Sequence, residues 1–345
     1  MPFLPVSDDD RILGVASVLA GRPVISVEQR MGGGNNRLFR VMTDQRPYAL
    51  KEYPRRIGDA RDRLGTEFRA LQFLEKCAVG NVPKPIAADR AKGFALYEWI
   101  DGTQVADPTE TDVDATLAFI MRVHECRHAR GAAALPLASE ACLSPMDIVE
   151  QIGRRFERLK GISQPEPRLA EFLFADYVPT AEAVETWSRR EYSGLGWTFD
   201  RPISPAERSL SPSDFGFHNA IRRADGRLTF VDFEYFGWDD PAKLVADFLL
   251  HPGMRLTANC YERFRAGAIR IYEEKGAFAT RLALVYPLFA LRWCMILLNE
   301  FLPERWEARR RAGIHIDRNA ATAGQLEKAR ERISAVRQYM MDHAQ

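Results

Sequence analysis

The texture of the chain changes once, at Asp101-Gly102, and no other feature constrains the fold as strongly. Before that point short runs with strand character follow one another: "VISVEQR" (24–30), "RLFRVMT" (37–43), "PYALKEY" (47–53), then segments near 84–90 and 93–99. "TDQRP" between the second and third is a short turn, so those two form a hairpin. One helical stretch interrupts them at about 60–77, with Leu64, Phe68, Leu71 and Leu74 on one face. Ser7 ahead of three aspartates reads as the N-cap of a first helix with acids in its opening turn. After Gly102 helical patterns dominate: 110–127, about 145–160, 168–192, 257–275 and long segments reaching 340. The exception is 210–236, which reads as loop, short strand, turn, short strand. The expectation is an α+β chain, with a small β-rich domain over 1–100 and a larger, mainly α-helical one over 101–345.

Bulk properties narrow the class. The chain has 345 residues and a formal net charge of +1, so charge gives no argument for a nucleic-acid or membrane partner. Five cysteines at 77, 126, 142, 260 and 294 show no metal-ligand spacing, and their odd number argues against a disulfide framework. That fits a reducing compartment, and the acidic start of the chain does not resemble an export signal, so a cytoplasmic location is expected. Of six histidines only His124 and His128 stand at helical spacing, and no complete ligand set accompanies them, which argues against zinc. The most apolar run, 282–302, contains Pro287, Arg292 and Glu300, and reads as a buried core helix rather than a membrane span.

Several residues then ask for a chemical reading. In "RMGGGNNRLFRV", Gly32, Gly33 and Gly34 let the backbone bend tightly between strands and approach a ligand; exposed amides of that kind hold phosphate oxygens. A flexible hairpin loop explains the same glycines. Lys51 stands in a strand beside apolar neighbours, and Glu67 follows sixteen residues on in the helical stretch. Singly, each fits a solvated surface. "LSPSDFGFHNAI" holds Asp214 and, five residues later, Asn219; after a turn at 224–226 comes "LTFVDFEYFGWDDP" with Asp232. An Asp in a loop can accept a proton from an attacking hydroxyl. Asn and Asp oxygens at the ends of a short hairpin suit magnesium, which takes one or two carboxylates together with phosphate and water. The order of glycine loop, strand Lys, helix Glu, Asp-x4-Asn and Asp is the set required by phosphoryl transfer of the protein-kinase kind.

On those residues the chain resembles the aminoglycoside phosphotransferase and choline kinase family, small-molecule kinases of the protein-kinase-like fold. "GGGNNRLFRV" is similar to the family's glycine-loop stretch, with Asn36 in its Asn place. "FALYEWIDG" resembles its hinge, which implies that backbone groups near Glu98, Trp99 and Ile100 meet the adenine. "SDFGFHN" and "VDFEYFGWDDP" resemble its catalytic and metal-binding loops, and Asp240 falls in the Asp-Pro position, usually structural. Two positions depart from the pattern. The family's His, two residues before the catalytic Asp, is Pro212 here, and Leu244 stands where the family often has Asp.

The resemblance implies a bilobal fold, with a β-rich N-lobe and an α-helical C-lobe whose last part serves substrates. It also implies ATP and Mg2+ as cofactors and a small-molecule hydroxyl as acceptor. Lys51, held by Glu67, would grip the α- and β-phosphates, Asn219 and Asp232 would hold metal, and Asp214 would take the acceptor's proton. A nucleotide-binding pseudokinase is the rival that Pro212 leaves open. A protein kinase proper is disfavoured, because "GWDDP" follows Asp232 at once and leaves no room for an activation loop. For the acceptor, 15 Lys or Arg against 10 Asp or Glu over 257–345 lean toward a neutral or anionic molecule such as a sugar. An amino alcohol, a hydroxy amino acid or an aminoglycoside is the alternative. Glu234, two residues past Asp232, is expected to point toward the acceptor, and Asn299 and Glu300 are further candidates because polar groups are unusual in so apolar a run.

Overall fold

The structure, a computed structural model, describes residues 8–30, 36–54, 61–273, 277–311 and 317–343. Gly32, Gly33, Gly34 and Ser7 lie outside the described residues. The chain divides into two compact units. The first comprises Met1–Ser139, Leu210–Trp238 and Gly253–Cys260; the second comprises Glu140–Ser209, Asp239–Pro252 and Tyr261–Gln345.

The first unit opens with α1 (Asp8–Ala20) and a five-stranded antiparallel sheet. Its strands are β1 (Val24–Arg30), β2 (Arg37–Thr43), β3 (Pro47–Glu52), β4 (Pro85–Asp89) and β5 (Phe94–Glu98), in the order β1-β2-β3-β5-β4. Helix α2 (Arg63–Lys76) lies in the chain between β3 and β4. Successive strand residues point to opposite faces of the sheet. Phe39, Val41, Tyr48, Leu50, Phe94 and Leu96 turn to one face and pack with Ile12, Val15 and Ala16 of α1. Lys51, paired with Ala95, therefore turns to the other face together with Tyr97. There it meets α2, whose Phe68 ring lies 6.1 Å from that of Tyr97.

The rest of this unit is built on α3 (Glu110–Glu125) and short strands: β6 (Thr103–Gln104), β7 (Ser209–Ser211), β8 (Ala220–Arg222), β9 (Leu228–Phe230) and β10 (Gly237–Asp239). β6, β8 and β9 form one antiparallel sheet, and β7 pairs with β10. Gly102 makes the first pairing possible: at φ +153° it lies so near β8 that a Cβ would stand 2.4 Å from the Arg222 carbonyl oxygen. Thr109 caps α3 through a reciprocal capping box with Asp112, and Arg222 of β8 donates to Asp112 Oδ2 at 2.6 Å. Burial opposes the Asp112 charge, but the bonds from Arg222 and Thr109 outweigh it and hold the carboxyl below its usual range. A group depressed in the folded state stabilises it above the unfolded pKa, and loses that contribution as pH falls through the folded value. Asp112→Asn is expected to lower stability by about 1–3 kcal/mol at pH 7. The deficit should close below about pH 4, where the unfolded chain's own carboxyl takes up its proton. Urea unfolding of both proteins at the two pH values checks this.

The second unit is helical: α4 (Pro145–Lys160), α5 (Pro167–Glu171), α6 (Val178–Gly194), α7 (Pro241–Leu250), the greater part of α8 (Ala258–Tyr272), α9 (Phe278–Leu297), α10 (Pro303–Arg311) and α11 (Arg318–Asp342). The helical stretch expected over 168–192 is interrupted by a π-helical segment at Phe172–Tyr177. Among the described residues one helical segment, Phe278–Phe301, is long and apolar enough to cross a membrane, and 78% of its most apolar window is buried inside the protein. Within its unit α9 is surrounded by α4, α6, α7 and α11. Tyr177 donates to the Leu291 carbonyl at 3.2 Å and Ser188 to that of Leu284 at 3.1 Å, so the helix is a core element tied at several points.

Candidate active site

Glu67 and Lys51 meet beneath the sheet. Asp62 caps α2, accepting from Gly65 N at 2.9 Å, and this sets the helix's rotation. Leu64, Glu67, Leu71 and Leu74 then share its buried stripe. A carboxylate on such a stripe needs partners. Lys51 Nζ donates to Glu67 Oε1 at 2.7 Å, and Tyr53 Oη donates to Oε2 at 2.6 Å. The Tyr53 and Tyr97 hydroxyls are themselves 2.8 Å apart. Lys51 also donates to Asp232 Oδ1 at 3.0 Å. Burial disfavours the Lys51 charge, but Asp232 and Glu67 outweigh it and raise the ammonium's pKa above its ordinary value. Burial pushes Glu67 upward, and the adjacent Lys51 holds it down in part. The same burial raises both tyrosines.

The two loops that carry the other acids come from one hairpin. β8 pairs with β9 in the register Ala220↔Phe230, Ile221↔Thr229 and Arg222↔Leu228. Val231 N donates to Asn219 O at 2.9 Å, which extends the ladder by one step. Asn219 and the residue before Asp232 are thus opposite each other, and both loops leave from the same end. Asn219 Nδ2 donates to the Asp214 carbonyl at 2.9 Å, and Asp214 Oδ1 lies 3.1 Å from His218 Nε2. Each acid is followed by a buried phenylalanine. Phe215, Phe230 and Phe233 gather on Phe119 of α3, with ring centroids 4.4 Å apart for Phe119–Phe230 and 4.9 Å for Phe215–Phe230. This aromatic cluster fixes the spacing of the two loops. Asp232 itself has φ +69°, a conformation that costs a non-glycine residue energy and recurs at functional sites.

Of the expected residues, Asn36, Lys51, Glu67, Asp214, Asn219, Asp232 and Glu234 belong to the first unit, and their contacts join them in three groups: Lys51 with Glu67 and Asp232, Asp214 with Asn219, and Asn36 with Glu234. Asn36 Nδ2 donates to Glu234 Oε2 at 2.7 Å. Glu234 is buried at 2% exposure, so its carboxylate is turned to Asn36 rather than held out to solvent. The hinge residues sit where the sheet ends: the ladder closes at Tyr48↔Glu98, after which Trp99 and Ile100 leave it. Trp99 Nε1 donates to Asp101 Oδ1 at 2.9 Å beneath the Arg40 guanidinium, and Ile100 is buried. Asn299 and Glu300 fall in the second unit, in a 3-10 turn after α9, where Glu300 pairs with Arg305 at 3.6 Å. Four residues bearing on the site have only weak signals in the sequence: Tyr53, Tyr97, Phe119 and Arg222. The one usable cue is alternation, which puts Tyr53 and Tyr97 on the same sheet face as Lys51.

Residues 26–278 match the phosphotransferase enzyme family, APH. The chain belongs to that family. Its fold is similar to that of choline kinase LicA from Streptococcus pneumoniae, with TM-score 0.61 and 20% identity over 95% of this chain and 100% of that one. It is similar as well to spectinomycin phosphotransferase APH(9)-Ia, solved with ADP and spectinomycin (TM-score 0.63, 13% identity, 95% and 99% covered). An ethanolamine kinase from Plasmodium vivax matches at TM-score 0.56 and 14% identity, over 94% and 84%. The search of curated proteins returned no match. The fold is therefore the protein-kinase-like one, sheet-rich toward the N-terminus and helical toward the C-terminus, and the chain is a phosphotransferase, for which its family resemblance implies ATP with magnesium as cofactor.

The donor set fits that cofactor. Asp232 and Asn219 offer a carboxylate and an amide oxygen, hard donors of the kind magnesium takes. Asn219 has its amide nitrogen on the Asp214 carbonyl, which leaves Oδ1 as the atom for a cation.

Proposed function

We propose that the first unit holds Mg-ATP and transfers its γ-phosphoryl group to a hydroxyl of a small amine-bearing molecule, with Asp214 as the base. The observation that carries this is the Lys51 ammonium standing between Glu67 and Asp232. Glu67 fixes the ammonium where it can meet the α- and β-phosphates, and Asp232 on its other side ties that position to the metal site. Asn219 and Asp232 would hold magnesium, whose charge offsets that gathering on the phosphoryl oxygens. Gly32, Gly33 and Gly34 with Asn36 would cover the phosphates, Asn36 being steadied by Glu234. The main chain from Glu98 through Trp99 to Ile100 would receive the adenine. Asp214 orients the acceptor hydroxyl, and its carboxylate takes the proton as the new P–O bond forms. Positioning and fixed charge account for most of the rate, with little covalent work for the protein.

For the acceptor, the basic excess over 257–345 points to a sugar or an anion, yet nothing in the comparisons favours that. In the second unit four of those fifteen basic residues are engaged in internal pairs: Arg292 with Asp247 and Glu140, Arg281 with Asp240, Arg318 with Glu166, Arg337 with Asp176. A bulk count of charge therefore overstates what is left for a ligand. The similar structures are named for choline, ethanolamine and spectinomycin kinases, and each of those three molecules carries a hydroxyl together with a nitrogen that is cationic at neutral pH. We infer an amino alcohol or an aminoglycoside, in the cytoplasm, where ATP is supplied.

The test is ATP consumption in the presence of choline, ethanolamine, aminoglycosides, sugars and hydroxy amino acids in turn. An amine-bearing alcohol should stimulate turnover, and Asp214→Ala should lower that turnover about 10²–10⁴-fold. Stimulation by neutral sugars alone would overturn the acceptor reading. Full turnover in Asp214→Ala would remove the proposed base.

A further inference from the structure

The loop bearing Asp214 lacks a histidine two residues before that acid, and Pro212 in its place has neither a backbone N–H nor a side-chain donor. Two serines bond within and beside this loop. Ser213 N donates to Ser211 Oγ at 3.0 Å, and Ser213 Oγ approaches the Ser139 carbonyl at 3.5 Å. These bonds hold the loop's main chain. His218 reaches the carboxylate itself, with Nε2 3.1 Å from Asp214 Oδ1. An ionised carboxylate only accepts, so Nε2 carries the proton and donates it.

His218 is well placed to act on Asp214 because its own backbone is pinned. Gln104 of β6 donates through Nε2 to the His218 carbonyl at 2.9 Å. Phe217 N, one residue earlier, points at Met254 Sδ at 3.2 Å. Gly216 lies so close to the same methionine that a Cβ there would stand 2.4 Å from Sδ. The imidazole is mostly covered at 18% exposure, whereas the Asp214 side chain is open at 46%. A covered, pinned donor therefore meets an exposed acid.

We propose that His218 is the positioning residue for Asp214: its Nε2–H holds Oδ1 and so aims Oδ2 at the acceptor hydroxyl. The inference rests on Asp214 being the base. No proton passes through His218. The acceptor's O–H bond breaks as its oxygen joins phosphorus, the proton goes to Oδ2, and the imidazole keeps its own N–H throughout.

Hydrolysis of Mg-ATP, with water as the acceptor and released phosphate as the readout, tests this in the full chain. His218→Ala is expected to lower kcat about 10–100-fold through misplacement of the base. KM for ATP should stay within about twofold, because the lost interaction acts on the chemical step and not on nucleotide binding. His218→Gln, whose amide nitrogen reaches the place of Nε2, should recover most of the loss. Adding His218→Ala to Asp214→Ala should cost nothing further, since there is no carboxylate left to aim. A normal kcat in His218→Ala overturns the inference, as does a loss that adds in full to that of Asp214→Ala; either result leaves Asp214 as the base. Full turnover in Asp214→Ala instead overturns the base assignment. A second readout needs no turnover: the His218 side chain should show a slowly exchanging Nε2–H in its 15N spectrum that is lost in Asp214→Ala. A bare Nε2 in the unsubstituted protein overturns the proposal.

Discussion

Asp232→Ala is expected to lower phosphoryl transfer about 10⁴–10⁶-fold, because it removes two stabilising elements together, each worth about 10²–10³. The first is the carboxylate that, in the proposed function, would hold magnesium. The second is the partner that, with Glu67, keeps the Lys51 ammonium between them. Without Asp232 the ammonium is drawn wholly to Glu67 at 2.7 Å, away from the metal side of the site. The Mg-dependent thermal shift caused by ADP should vanish in the variant, while any magnesium-independent shift persists. Asp232→Asn should fall between, since it keeps an oxygen for the cation and a weaker acceptor for Lys51. The left-handed φ of residue 232 suits Asn as well as Asp, so the comparison is free of added backbone strain. Equal turnover in wild type and Asp232→Ala would remove the metal assignment and, with it, the reason for Lys51 to stand where it does.

Much of the first unit was legible because its signals are local. Alternation in "RLFRVMT" and "PYALKEY" gives β2 and β3 within a residue, and the side Lys51 faces is opposite to the side Leu50 faces. The Asp-x4-Asn…Asp spacing survives as contacts because a tight hairpin, β8 to β9, separates its two halves. What could not be read depends on distant partners. Nothing local shows that 210–238 and 253–260 belong with the first 139 residues. β6 is two residues long and exists only because β8 pairs with it. Helix α7 is buried along its whole length, and its charged pair, Lys243 and Asp247, is turned into the core rather than to solvent, so it lacks the exposed polar face by which a surface helix is recognised. Glu67 is the instructive case. Singly it reads as a solvated helix residue, yet it occupies the same stripe as Leu64 and Leu71, and a carboxylate at a core position already implies a buried cation. Glu234 errs in the opposite direction: adjacency to Asp232 suggests an open position, and the fold turns it inward to Asn36.

α7 also carries the largest stability effect expected in the second unit. Lys243, at 1% exposure, lies 3.2 Å from Asp239 and 3.3 Å from Asp247. Asp247 in turn accepts from Arg292 at 3.0 Å and from Trp293 Nε1 at 2.8 Å, and Arg292 also donates to Gln151 at 2.8 Å. Asp247→Ala strips one carboxylate from two buried cations. Removing one partner of a buried pair costs about 3–5 kcal/mol, and the arginine cannot shed its charge to limit the damage. A drop of about 10 °C in the unfolding temperature is expected. Lys243→Met should be milder, because what it leaves behind can be neutralised. Burial already pushes the Asp239 carboxyl up to about 6, against the pull of Lys243. A carboxyl raised in the folded state binds its proton more tightly there than in the unfolded chain, so stability falls as pH rises from about 4 to about 6 and then levels. Without Lys243 that pKa rises further, and the fall continues to higher pH. The deficit of Lys243→Met relative to wild type should therefore be small near pH 5 and widen toward pH 8, whereas that of Asp247→Ala should persist across the range. Urea unfolding of the three proteins at both pH values separates the two behaviours, and a pH-independent deficit for Lys243→Met would show that Asp239 stays ionised without its lysine.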